Sequence, residues 1–322
     1  MNFEKQIKNL KVYQEFKNAQ SADKLSQAYL FLCPDRLTNK ILLTELAKLM
    51  QCKNKCACGT CDSCVKITAG THPDVLVYPT SSNFVVDDAN SIYDNVQIKP
   101  MLSQNKILII NDIDISTEQA QNKMLKILEE PPANVTFLIS ACSQEKVLNT
   151  ILSRVQKMVV DRMQNEQLAL LFEGADEFVL QVALSFGDGY IGKVLDIINN
   201  KTFLQNFKNM QNLIENLQNS SQIPYFSPYF YKDKQIFESN LLILDSLMRD
   251  LLMLCLNEEK LVKNAFLLNS LQKIKEQYSV GALTEILKDI NTIKQKLDSN
   301  VNLTILADNF LFDILEIKFL CK

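Results

Sequence analysis

The sequence predicts an α/β domain with a mostly parallel sheet, followed by an all-helical remainder. Three observations carry this. Residues 1–162 alternate short, continuous apolar runs with helical patterns. Strand signals stop at about residue 162, and residues 203–322 have helical period. The 322 residues include only 7 glycines and 8 prolines, few for a fold built on tight turns.

The expected strands are Ala28–Leu32, Val75–Tyr78, Ile107–Ile110, Val135–Ile139 and Met158–Val160. Most are unbroken apolar runs, as parallel strands covered on both faces require. Helices fit between them, which means a parallel sheet. The clearest helix is Thr117–Leu128, where Ala120, Met124 and Leu128 recur every four residues. Ser116 with Gln119 resembles a capping box at its start. Pro131–Pro132 ends it, because a residue before proline avoids the helical region. Residues 164–199 read as two or three small helices around "LSFGDGYIGKVLDI". Phe237–Leu256 has apolar residues at 237, 241, 244, 248, 251, 252 and 255, close to helical period. "SQIPYFSPYFYKD", residues 221–233, reads as a loop-like interruption. Three domains are expected: 1–162, 163–202 and 203–322.

With 47% hydrophobic and 22% charged residues, the composition is that of an ordinary globular protein. A net charge of −3 gives no global attraction to nucleic acid. Residues 1–20 carry acids and lack an apolar core, so no secretory signal is expected. The most apolar stretch, 241–256, is interrupted by Asp245, Arg249 and Asp250, too short and charged to span a bilayer. A cytoplasmic location is expected. There, nine cysteines are not a disulfide framework.

Five of the nine fall in "CKNKCACGTCDSC": Cys52, Cys56, Cys58, Cys61 and Cys64. Cys58, Cys61 and Cys64 supply three thiolates at knuckle spacing. Cys52 or Cys56 must supply a fourth. Cys52 is preferred, since Cys56 lies one residue from Cys58, a tight span for two ligands on one ion. Four thiolates suit Zn²⁺, and a closed site of four cysteines is structural. A reduced, metal-free loop and a redox dithiol are the alternatives, but three overlapping thiols favour zinc. His72 in "GTHPD" is a conceivable substitute ligand, expected instead in the turn into the next strand.

The first expected strand runs into a loop where a nucleotide-binding fold would put its phosphate loop. Such a loop needs glycines, a lysine and a Ser or Thr. Cys33 to Lys40 contains no glycine, Asp35 would repel phosphate, and Lys40 comes one place late. The strand that would bring metal-binding acids ends in Asn111–Asp112, a weakened version of the Asp–Glu pair that ATP hydrolysis requires. ATP is not expected to bind.

"LSQAYLFLCP", the cysteine cluster with "GTHPDV", "KILIINDIDISTEQAQNKMLKILEEPPANVTFLIS" and "ILSRVQ" together resemble the clamp-loader subunits of bacterial DNA polymerase III. The likeness is strong to about residue 200 and weak over 237–315, where "LMRDLL" and "DSNVNLTILADNFLFDIL" are similar to parts of a collar. It implies an AAA+ α/β domain at 1–162 with the zinc module at 52–64, a helical lid at 163–202, and a helical collar for oligomerisation at 203–322. ATP-binding tau/gamma members keep a glycine-rich loop and a sensing arginine. Here the matching "GDGYIGKVL" has Ile191, Gly192 and Lys193. With no long tau-like tail expected, the resemblance implies the delta prime branch, which does not hydrolyse ATP.

The family's Ser-Arg-Cys motif matches Ser153 and Arg154, with Val155 in place of its cysteine. The resemblance implies that Arg154 is an arginine finger reaching a neighbour's ATP, with no independent activity for this chain. From spacing alone Arg154 is a solvated charge. Glu129 and Glu130 in "LEEPP" read as structural, holding the turn or a subunit contact. Implied partners are the tau/gamma ATPases and delta, and, through them, the sliding clamp and primer-template DNA. The rival readings are a divergent ATP-binding tau/gamma-like subunit using Lys40 and Asp112, and a zinc-containing nucleic-acid binder.

Overall fold

The computed structural model describes residues 3–79, 83–297, 299 and 301–320. Cys321, and Asp298 and Asn300 of the "DSNVNLT" stretch, lie outside the described residues. The chain divides into two compact units: Met1–Glu173 with Gly187–Val194, and Gly174–Phe186 with Leu195–Lys322.

The first unit runs α1 (Phe3–Ile7), α2 (Lys11–Ser21), β1 (Ala28–Leu32), α3 (Arg36–Gln51), α4 (Asp62–Thr68), β2 (Val75–Tyr78), α5 (Val86–Val96), β3 (Lys106–Ile110), α6 (Glu118–Glu129), β4 (Val135–Ala141), α7 (Asn149–Leu152), β5 (Gln156–Val159) and α8 (Asn165–Ala169). The five strands are parallel, in the order β2-β3-β4-β1-β5. Leu30, Leu108, Ile110, Phe137 and Ile139 cluster with Ile92 of α5 and with Met124 and Leu128 of α6. The alternate residues Tyr29 and Phe31 meet Phe16 of α2, with ring centroids 5.0 and 6.3 Å away. Both faces are therefore covered, and every residue of β3 and β4 is buried.

The expected bounds shift where burial or edge position changes the pattern. β3 starts at Lys106, not Ile107. Its buried ammonium donates to the carbonyls of Asn95 and Ile98, both at 2.8 Å, so a lysine fits a core strand. β5 lies at Gln156–Val159, two residues before the expected start. It is an edge strand with Gln156, Lys157 and Val159 exposed, so it carries no apolar run. α6 is capped by Thr117, whose hydroxyl accepts from the Ala120 amide at 3.3 Å, and not by Ser116. The Ser116 hydroxyl instead donates backwards to the Ile113 carbonyl at 2.5 Å.

The second unit is helical: α9 (Glu177–Phe186), the later part of α10 (Ile191–Asn199), α11 (Lys201–Asn216), α12 (Ile223–Phe226), α13 (Lys234–Cys255), α14 (Leu268–Ile274), α15 (Val280–Leu297) and α16 (Leu303–Leu320). No strand follows Val159 among the described residues. α13 lies in the core, with Phe237, Leu241, Leu244, Met248 and Leu251 buried, and packs on α11 and α15. Asp250, in the middle of this helix, is also buried. It accepts from the amides of Lys263 (2.8 Å) and Asn264 (2.9 Å) and from the Asn264 side chain (2.6 Å). The "SQIPYFSPYFYKD" segment is not a plain loop. It forms short helical turns whose Ile223, Phe226 and Phe230 are core residues. Its prolines occupy first-turn positions, where no amide is needed. Among the described residues no helix is long and apolar enough to cross a membrane.

Candidate functional site

Three places in the first unit carry chemistry. The first is the cysteine module between α3 and α4. Cys52 caps the C-terminus of α3, Cys61 is the N-cap of α4, and Cys64 lies in the first turn of α4. Lys55, Ala57 and Gly59 have φ of 49°, 49° and 75°. These left-handed residues fold the intervening chain back so that Cys58 joins the group. The Sγ atoms of Cys52, Cys58, Cys61 and Cys64 all lie within 4.8 Å of one another, and Cys61 and Cys52 are 4.0 Å apart. A tetrahedral zinc with bonds of about 2.3 Å sets its sulfurs about 3.8 Å apart, so the donor set fits zinc. Cys56 is exposed and outside this group. His72 is also outside it; its Nδ1 accepts from the Asp74 amide at 3.2 Å.

The module's amides favour thiolate. The Thr60 hydroxyl, then the backbone amides of Thr60 and Cys61, pull the Cys58 thiol down to about 5. Burial opposes the Cys52 thiolate, but the amides of Cys58, Cys56 and Asn54 outweigh it and lower its pKa. Cys64 is raised by burial, an effect that a bound cation would reverse. Lys8 donates to the Ala57 carbonyl at 2.6 Å and ties the module to the N-terminal helices.

The second place is the N-terminus of α3, at the C-terminal edge of the sheet. Asp35 is the N-cap. Its Oδ2 accepts from the Thr38 amide (2.9 Å), the Thr38 hydroxyl and the Gly192 amide (2.9 Å). The Thr38 hydroxyl in turn accepts from the Ile191 amide at 3.2 Å. One carboxylate thus occupies the Thr38 amide in the first turn of α3 and the Gly192 amide of α10, while the Thr38 hydroxyl takes the Ile191 amide. A Cβ on Gly192 would overlap that carboxylate. Cys33, just before, is pushed up to about 12 by burial. Beside this plug, Arg36, Leu37, Lys40, Val77, Pro79, Asn111 and Asp112 line a cleft of about 290 Å³. Arg36 Nε lies 3.7 Å from Asp112 Oδ2. Asp112, in the left-handed region at φ 53°, is raised by burial, against which Arg36 acts.

The third place is the turn between α7 and β5, at the N-terminal edge of the sheet. Arg154 Nη1 donates to the Thr150 carbonyl (2.7 Å) and the Ser153 hydroxyl (3.2 Å). Its Nη2 meets Glu129 Oε1, at the end of α6, at 2.5 Å. The Arg154 side chain is about a third exposed.

A family described as "DNA polymerase III, delta subunit" matches residues 8–164. The delta′ subunit of Bacillus subtilis is 25% identical over 93% of this chain and 94% of its own length. The chain is similar to the delta-type and tau-type subunits of DNA polymerase III. Higher identity comes over a shorter span: the tau subunit of Salmonella typhimurium is 31% identical over 47% of this chain, and that of B. subtilis is 30% identical over 61%. The chain spans only about a quarter of the Salmonella tau subunit's length and 37% of the B. subtilis one.

Set against the expectations for a clamp-loader subunit, the structure brings four of the five clustered cysteines together and leaves Cys56 out. It places Ser153 against Arg154. It adds contacts that the sequence did not single out. Gly192 contacts Asp35 from 157 positions away, and Glu129 meets Arg154 across 25. No periodicity links either pair. Only the "LEEPP" acids, set aside as structural, hinted at the second.

Proposed function

We propose that this chain is a delta prime-type subunit of a DNA polymerase III clamp loader, which binds no ATP itself and offers Arg154 to ATP held by a neighbouring tau/gamma-type subunit. The observation that carries this is the carboxylate of Asp35 seated on the amides where a phosphate would otherwise bind. An incoming phosphate meets a negative charge there instead of free donors. The position of Arg154 supports a role in trans. It lies ahead of β5, while Arg36 and Asp112 lie past the opposite ends of parallel strands. A strand of that length spans about 16 Å, so Arg154 is placed to serve another molecule's site. The near full-length match to a delta′ subunit supports the same branch.

In this reading residues 163–202 act as the lid and 203–322 as the collar. The subunit joins tau/gamma and delta in opening a sliding clamp at primer-template DNA. Cys52, Cys58, Cys61 and Cys64 hold a structural Zn²⁺ that fixes the 52–64 module. Calorimetric titration of the chain with ATP and Mg²⁺ tests the first point. No binding is expected up to about 1 mM. Micromolar binding would restore the second reading, an ATP-binding tau/gamma-like subunit, which the cleft lined by Arg36, Lys40 and Asp112 favours. Metal analysis tests the zinc set. Cys61→Ser is expected to lose about one zinc per chain, and Cys56→Ser to keep it. Loss in the Cys56 variant would assign the fourth ligand to Cys56.

A further inference from the structure

We propose that Glu129 is a positioning residue for Arg154, holding the guanidinium in the geometry in which it meets a neighbour's phosphate; this rests on the reading of Arg154 as a finger in trans. An arginine side chain is flexible, and ordering it only when a partner arrives would weaken the encounter. Here it is ordered beforehand. The Thr150 carbonyl and Ser153 hydroxyl take Nη1, and Glu129 Oε1 takes Nη2. These three acceptors leave part of the five-donor fork for a phosphate. The chain reinforces the arrangement from both sides. Glu129 closes α6 just before Pro131–Pro132, and Arg154 lies in the turn after α7, which packs on α6. The "LEEPP" acid is then neither a second catalytic carboxylate nor only a turn former. It aims a cation that acts elsewhere.

The test compares Glu129→Ala, Glu129→Gln and Arg154→Ala in the loader assembled with its ATPase and delta subunits, reading kcat and KM for ATP separately. Glu129→Ala is expected to lower kcat about three- to tenfold, with KM within about twofold, because ATP is bound by the neighbour's own groups. Glu129→Gln keeps an oxygen acceptor and is expected to recover at least half of kcat. In the free chain, which has four arginines, the Arg154 guanidinium nitrogen signals should be resolved by NMR in the wild type and averaged in Glu129→Ala. Wild-type kcat in Glu129→Ala, beside a depressed Arg154→Ala, would overturn the positioning role. So would a lower yield of assembled loader with unchanged kcat per complex. If Arg154→Ala itself changes nothing, the finger reading falls first and the role of Glu129 with it.

Discussion

The N-terminus of α3 and the turn ahead of β5 each hold one charged side chain, at opposite edges of the same parallel sheet. At the first, Asp35 takes three donors from its own chain at the start of a helix. At the second, Arg154 makes three hydrogen bonds and still has donors to spare. Burial matches this difference. Asp35 is 7% exposed, whereas the Arg154 side chain is 33% exposed. One charge is satisfied internally and the other keeps spare donors near the surface. The proposed role, lending a group to a neighbouring site without running one of its own, would use that asymmetry.

The largest expected effect breaks the open side. Arg154→Ala should reduce ATP hydrolysis on the order of 10³-fold at the one site it faces in the assembled loader, measured in single turnover. Its folding should be nearly unchanged, because a partly exposed ion pair contributes at most about 1 kcal/mol. Unchanged hydrolysis would make Arg154 an ordinary surface charge.

How far each side was legible follows from what the sequence encodes locally. β1 could be read because a strand buried on both faces is a continuous apolar run, and β2, an edge strand with Val77 exposed, could be read because its residues are still all apolar or aromatic. The cysteine module could be read because its ligands lie within thirteen residues. β5 was misplaced because this edge strand, unlike β2, carries polar Gln156 and Lys157 in place of an apolar run, and 221–233 because aromatic side chains beside prolines serve there as core. The absent glycines pointed to a phosphate loop without its usual chemistry. They could not show the Asp35 contacts at that place, since these need Gly192 from 157 positions away. Nor could they show that Arg154 is held by Glu129, a contact made only once the end of α6 and the α7–β5 turn have packed together.

A middle-sized effect breaks the closed side. Asp35→Ala removes a helix cap and leaves the Gly192 and Thr38 amides without their acceptor. It should cost about 1–3 kcal/mol in urea unfolding. Gly192→Ala should cost a similar amount by forcing the carboxylate aside. If both variants unfold like the wild type, the Asp35 contacts hold nothing, and the closed edge is no different from the open one.

The smallest effect concerns Asp112, beside the plug, and appears as a pH dependence. Burial raises its pKa, with Arg36 acting against the shift. The folded chain therefore keeps this proton to higher pH than the unfolded chain, whose aspartates titrate near about 3.9. Between those two values the native state binds more protons, so this group's contribution to stability falls as pH rises. Asp112→Asn removes the titration and suits the left-handed backbone there, since asparagine tolerates that region. The urea midpoint of the variant should gain on the wild type as pH rises from about 4 toward 7. If the wild type gains instead, attraction to Arg36 outweighs burial at Asp112. The cleft beside α3 would then hold its charges in balance, as the Arg154 turn does, and the contrast between the two edges would rest on Asp35 alone.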